Sequence, residues 1–258
     1  MKGKLSGMLL VLSLLLSTGC SQPEVRKGTD THKAAEVYVG LGVGYMEENQ
    51  YEVALDNFKK ALAVDPRLPS AHNGIAILYE KLGELNLADK HYRKAIQLDA
   101  KDARALNNYG TFLCRTGKYK ESEQYFERAA NNPLYQQPAS ALKNAGICAL
   151  KDNDPDKAES FFRKSLEVNP AYAPSLLQMA KLSYAADDYL KARAYVQRYL
   201  QIAEPTPETL WLAVRTEREL GDANAAASYA LLLRSRFPDS PQTQQLERSD
   251  DGERSATQ

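Results

Sequence analysis

The chain is poor in the residues that chemistry usually needs. Its 258 residues include three histidines, His32, His72 and His91, and three cysteines, Cys20, Cys114 and Cys148. No histidine stands at metal-ligand spacing from a cysteine or carboxylate, so no metal site is expected. His72 and His91 read as packing residues. There is no glycine-rich phosphate loop and no nucleophile elbow. An enzyme, a bound cofactor and a small-molecule substrate are therefore not expected. Charge of one sign is lacking too: 33 Lys and Arg balance 33 Asp and Glu. Without a basic run there is no footprint for nucleic acid. Long hydrophobic runs are absent. Leu9 to Leu16, interrupted by Ser13, is the main apolar stretch. A bilayer-spanning helix takes about 20 apolar residues.

What is present begins with that short run. Lys2 and Lys4 precede it, and Leu16-Ser17-Thr18-Gly19-Cys20 follows. A basic start, a short apolar core and small residues make a secretory signal peptide over 1–19. The Gly19-Cys20 ending resembles the lipobox of bacterial lipoproteins. It departs from that pattern at Ser17, where leucine is usual. The resemblance implies a covalent lipid on Cys20, palmitate included. Several acyl chains anchor firmly, because each buried methylene contributes about 0.8 kcal/mol. Asp after the cysteine would retain such a protein at the inner membrane. Ser21 points instead to the outer membrane, on its periplasmic face. Residues 20–34 read as a lipid-anchored tether, reaching about 3.5 Å per residue when extended.

The rest of the chain repeats. Ala54, Ala88, Ser122, Ala158, Ala192 and Ala226 recur at steps of 34, 34, 36, 34 and 34 residues. Four residues after each stands Phe58, Tyr92, Phe126, Phe162, Val196 or Ala230. A small residue one helical turn from a bulky one lets two helices cross closely. Asn49, Gly83, Gly117, Asn153, Asp187 and Gly221 occupy equivalent places between helices. These types enter the left-handed region most readily, as a helix that stops and reverses requires. Tyr51, Tyr119 and Tyr189 follow two residues later and are expected to close over the turn. Pro66, Pro170 and Pro238 end the second helices of units one, four and six.

The period and these positions resemble the tetratricopeptide family. The expectation is an all-α, right-handed superhelix of six helix-turn-helix repeats over 35–240. The units are 35–68, 69–102, 103–136, 139–172, 173–206 and 207–240. The last two are the most divergent, with Glu217 at an apolar position and Ala230 in place of an aromatic. Residues 241–258 show no periodic apolar face and read as a disordered tail.

Cys114 and Cys148 lie 34 residues apart on the first helices of units three and four. First helices of adjacent units stack side by side. The pair is therefore either a disulfide, in the oxidising compartment a signal peptide implies, or two buried thiols. First helices also line the inner groove of such a superhelix. By spacing, its candidate protein-binding residues are Val39, Val43, Asn73, Ile77, Asn107, Thr111, Arg115 and Lys143. They suit an extended or helical peptide.

A narrower likeness follows from Ala35 to Tyr45 (AEVYVGLGVGY), Ala103 to Leu113 (ARALNNYGTFL) and Asn132 to Tyr135 (NPLY). With the lipobox and six repeats, the chain resembles the type IV pilus pilotin lipoproteins, the PilF/PilW family. That resemblance implies binding to the outer-membrane secretin and help with its multimerisation. The early repeats, around Val39 to Tyr79, lie nearest the lipid and are the expected docking region. The alternative is a lipoprotein adaptor that recruits peptidoglycan-modifying enzymes or other envelope machinery.

Overall fold

The computed structural model describes residues 27–256, with side chains described over 31–250. The signal peptide over 1–19 and Cys20 lie outside the described residues. Thirteen helices and no strand occur among those described. They pair into six hairpins: α1 (Lys27–Glu47) with α2 (Tyr51–Val64), α3 (Pro69–Lys81) with α4 (Leu85–Leu98), and α5 (Ala103–Arg115) with α6 (Tyr119–Ala130). Next come α7 (Pro138–Lys151) with α8 (Pro155–Val168), α9 (Ala173–Ala185) with α10 (Tyr189–Ile202), and α11 (Pro207–Glu219) with α12 (Ala223–Arg236). A final helix, α13, spans Pro241–Ala256. Each first helix packs on its own second helix, and each second helix packs on the first helix of the next unit, which builds the superhelix unit by unit.

The six turns share one mechanism. Asn49, Gly83, Gly117, Asn153, Asp187 and Gly221 all have positive φ, between 57° and 80°. In each turn the next residue's N–H reaches back five residues, as in Gln50 to the Tyr45 carbonyl at 2.8 Å and Asp222 to that of Glu217 at 2.9 Å. This is a Schellman closure, which satisfies a carbonyl that the helix end leaves free. Tyr51 and Tyr189 donate their hydroxyls to Asn49 Oδ1 (2.8 Å) and Asp187 Oδ1 (2.7 Å), closing over the turns as expected. Asp154, Asp188 and Asp222 then cap the following helices through their carboxylates. The two additional residues of the third interval fall in the longer link 131–137 between α6 and α7.

Packing inside a unit depends on glycine meeting a ring. A Cβ on Gly146 would lie 2.5 Å from the Phe162 ring, and one on Gly42 would lie 2.6 Å from Phe58. Only a bare backbone permits that approach. Phe58, Phe126 and Phe162 are consequently almost fully buried. The core is a chain of small clusters along the array, as stacked repeats require.

Both ends differ from expectation. Residues 27–34, read as tether, are the first turns of α1. Ala35 is fully buried and anchors that helix to unit one. The tail read as disordered forms α13 over 241–256. Leu246 is fully buried beneath it, and Asp250 pairs with both Arg218 and Arg234. One apolar residue and a few ion pairs suffice because α13 only has to cover the last unit. Glu217 is also explained: it is 3% exposed and accepts from Arg193 Nε at 3.0 Å.

Candidate functional site

The inner face of the array is built by the first helices. Asn73 on α3, Asn107 and Asn108 on α5, and Asn144 on α7 meet there. Asn108 Nδ2 donates to Asn73 Oδ1 at 3.3 Å, and Asn144 Nδ2 donates to Asn107 Oδ1 at 3.0 Å. These carboxamides link three units. Asn107, Asn108 and Asn144 are half-buried, and a carboxamide has two N–H donors and a two-lone-pair acceptor, so capacity remains on these three for a peptide main chain, whereas Asn73 is buried beneath them at 8% exposure. Arg115 pairs with Glu80 Oε1 at 3.0 Å, and Tyr92 donates to Glu80 Oε2 at 2.8 Å. Burial and the adjacent Glu80 carboxylate drive the Tyr92 hydroxyl pKa far above its ordinary value.

The other expected groove residues divide. Val43 is exposed, and Ile77 packs partly against the first core cluster. Thr111 donates to the Asn107 carbonyl at 2.9 Å, which ties it to its own helix. Lys143 is half-buried, and burial lowers its ammonium pKa. No ion pair to Lys143 occurs among the described residues. Val39 is a correction: at 8% exposure it belongs to the core of unit one, with Ala35, Met46 and Phe58. Its direction is set by packing on α2, so it faces away from any ligand. Glu80 and Asn144 complete the site and were not read from the sequence. Asn144 has the same spacing from Gly146 as Asn108 has from Gly110, which was the available signal.

Cys114 and Cys148 form a disulfide, with Cα atoms 5.7 Å apart, joining α5 to α7 beside this face. His72 and His91 face each other across the α3–α4 hairpin, Nδ1 to Nδ1 at 3.1 Å. Burial pushes the His91 pKa down to about 4, with the neighbouring His72 adding to the effect. Among the described residues no group of three or more His, Cys, Asp or Glu could hold a metal. No described helix is long and apolar enough to cross a membrane.

The outermost unit carries a different surface. Val37 and Leu41 on α1 are 63% and 46% exposed. One period on, their equivalents are Ala71 and Ile75, then Ala105 and Tyr109, Ala141 and Ala145, Ser175 and Met179, Thr209 and Ala213. All ten are no more than 2% exposed. In five units this pair of positions is sealed within the stack, and in the first it is open.

An all-helical array of this kind, with a polar inner face and an open stacking end, defines a tetratricopeptide repeat scaffold. Profiles described as "Tetratricopeptide repeat" match residues 69–102 and 101–171, and one described as "TPR repeat" matches 42–83. The type IV pilus assembly protein PilF of Pseudomonas aeruginosa is 33% identical over 234 residues, covering 89% of this chain and 93% of that protein. A solved structure titled as a functional characterisation of that organism's pilF superposes with a TM-score of 0.73 at 33% identity, over 85% of this chain and 99% of that one. A crystal structure of PilW, titled a widely conserved type IV pilus biogenesis factor, superposes with a TM-score of 0.71 at 30% identity, over 83% and 98%. The chain belongs to the PilF/PilW family.

Proposed function

We propose that this chain is a pilotin: a lipid-anchored scaffold at the outer membrane that binds the type IV pilus secretin and promotes its localisation and multimerisation. The family membership supports a role in pilus biogenesis. The observation that carries the docking step is the open stacking face of unit one. Val37 and Leu41 wait where every later unit receives its predecessor, so an amphipathic helix from the secretin completes the stack. Fully covering a Val or Leu contributes about 1.5–3 kcal/mol, enough for two such anchors to decide partner choice. The lipid on Cys20, fifteen residues before Ala35, keeps this end of the array near the membrane and raises the effective concentration of partners there.

The test is replacement of Val37 and Leu41 by Asp in the full chain. Both side chains are exposed, so the fold tolerates the change. Secretin multimers and surface pili should fall to the level of the deletion strain, while protein abundance holds. Normal multimers and pili in that variant would overturn the docking site; normal levels in the deletion strain would overturn the pilotin reading. So would pull-downs that recover peptidoglycan hydrolases without secretin. Cys20→Ser should abolish sedimentation with outer membranes.

A further inference from the structure

At the other end of the array stands a cation with no ionic partner among the described residues. Six arginines lie on α10, α11 and α12. Arg193 pairs with Glu217 and Asp222, Arg218 and Arg234 pair with Asp250, and Arg236 pairs with Glu204. Arg198 donates to the Pro170 carbonyl at 3.1 Å. Arg215 has neither an ion pair nor a hydrogen bond among the described residues, and its Nε is buried and unsatisfied.

Aromatic faces hold it instead. Its guanidinium carbon lies 4.5 Å from the Tyr184 ring centroid on α9 and 5.5 Å from that of Trp211, one turn back on α11. All three side chains are half-buried, so solvent reaches the group. Nearby Lys181 is neutralised by Glu208 at 2.5 Å, across the same pair of helices. Arg215 is therefore the uncompensated charge of this face. A guanidinium stacked on rings loses little freedom on binding and keeps its forked edge for a planar oxyanion.

We propose that Arg215, framed by Tyr184 and Trp211, is a receptor for a carboxylate side chain on an acidic peptide segment lying along the first helices. The choice of ligand follows from charge complementarity, from the bidentate match of guanidinium to carboxylate, and from the aromatic walls that pack a peptide's aliphatic carbons. The site does not depend on the docking face of unit one, since it lies on the fifth and sixth units.

Trp211 is the only tryptophan in the chain, so its emission reads this site alone. The full-length protein in detergent is titrated with N-acetyl-hexaglutamate amide. N-acetyl-hexaglutamine amide and N-acetyl-hexaglutamine with a free carboxyl terminus are the comparisons. A saturable emission change is expected with hexaglutamate, weakened by salt and absent with hexaglutamine amide. Arg215→Gln should weaken it about ten- to a hundredfold, as loss of one charge-assisted pair implies. Arg215→Lys, which keeps the charge but not the fork, should fall between. Lys181→Gln should leave it unchanged. The proposal is overturned if wild type gives no response, or if hexaglutamine amide responds equally. A stronger response to the free terminal carboxyl than to hexaglutamate would overturn the side-chain assignment. If Arg215→Gln does not fold, equal binding by Arg215→Lys and wild type overturns the role of the fork.

Discussion

Three glycines on α1 should respond to the same substitution with opposite signs. A Cβ on Gly40 or Gly44 meets nothing within 4 Å, whereas one on Gly42 would lie 2.6, 2.8 and 2.9 Å from Cε1, Cδ1 and Cζ of Phe58. Alanine for glycine inside a helix contributes about 0.5–1 kcal/mol through lower unfolded-state entropy. Gly40→Ala and Gly44→Ala should therefore stabilise by that amount. Gly42→Ala has the same gain and a larger loss. Overpacking a filled core costs about 1–3 kcal/mol. Phe58 is 0% exposed, and the same ring edge already lies against Gly74, where a Cβ would be 2.5 Å away. The ring cannot yield cheaply, so the net effect is a loss of about 1–2 kcal/mol. At about 2–4 °C per kcal/mol for a chain of this size, thermal melts should rise by about 1–4 °C for the first two variants and fall by about 2–8 °C for the third. Hydrogen exchange in units one and two checks that the loss is local, because repeat arrays need not unfold as one unit. Phe58→Leu should be less costly in the Gly42→Ala background than alone. A rise in Tm with Gly42→Ala, or equal costs of Phe58→Leu in both backgrounds, would refute the wedge argument.

Denatured, unreduced mature protein should contain no free thiol from Cys114 or Cys148. Two free thiols would contradict the bridge. Opening its 34-residue loop by reduction should destabilise the fold by about 4 kcal/mol on chain-entropy grounds, checked by urea unfolding with and without reductant. Arg193→Met strands the Glu217 carboxylate in the core and should cost about 3 kcal/mol. Arg193→Met with Glu217→Leu should recover most of that, and failure to recover would show that the ion pair is not the cause. Because the folded state holds His91 neutral down to about 4, the unfolded chain binds more protons between about 6.5 and 4. Stability should decline as pH falls through that window, with a smaller slope in His91→Gln. An unchanged slope would exclude the His72–His91 pair as its source.

The periodic features were legible because they are local. A left-handed residue between two helices is demanded by the backbone itself, and all six positions read as turns have positive φ. The Phe58, Phe126 and Phe162 rings recur because each helix crossing poses the same packing problem. Asn73 and Asn107 were legible as polar residues on first helices, but not the pairings of Asn73 with Asn108 and of Asn107 with Asn144, whose members lie 35 and 37 residues apart.

Contacts between units were decided only in three dimensions. The alternation on α1 does not say that Val39 is enclosed while Val37 and Leu41 are open. That depends on the preceding hairpin, which among the described residues covers the equivalent positions of the five later units. The terminal helix α13 lacked a visible apolar face because it needed only Leu246 and an aspartate facing two arginines. Glu217 looked like a departure from the repeat until Arg193 was seen beside it. Nothing in the sequence singles out Arg215; only the fold sets the Tyr184 and Trp211 rings against it. The sequence alone determined the hairpin, its turn and its period, since backbone sterics and near-neighbour packing act within 34 residues. Which surfaces stay open, and which charges stay unpaired, was decided by the stacking of units, because burial and ion pairing depend on residues brought together from different repeats.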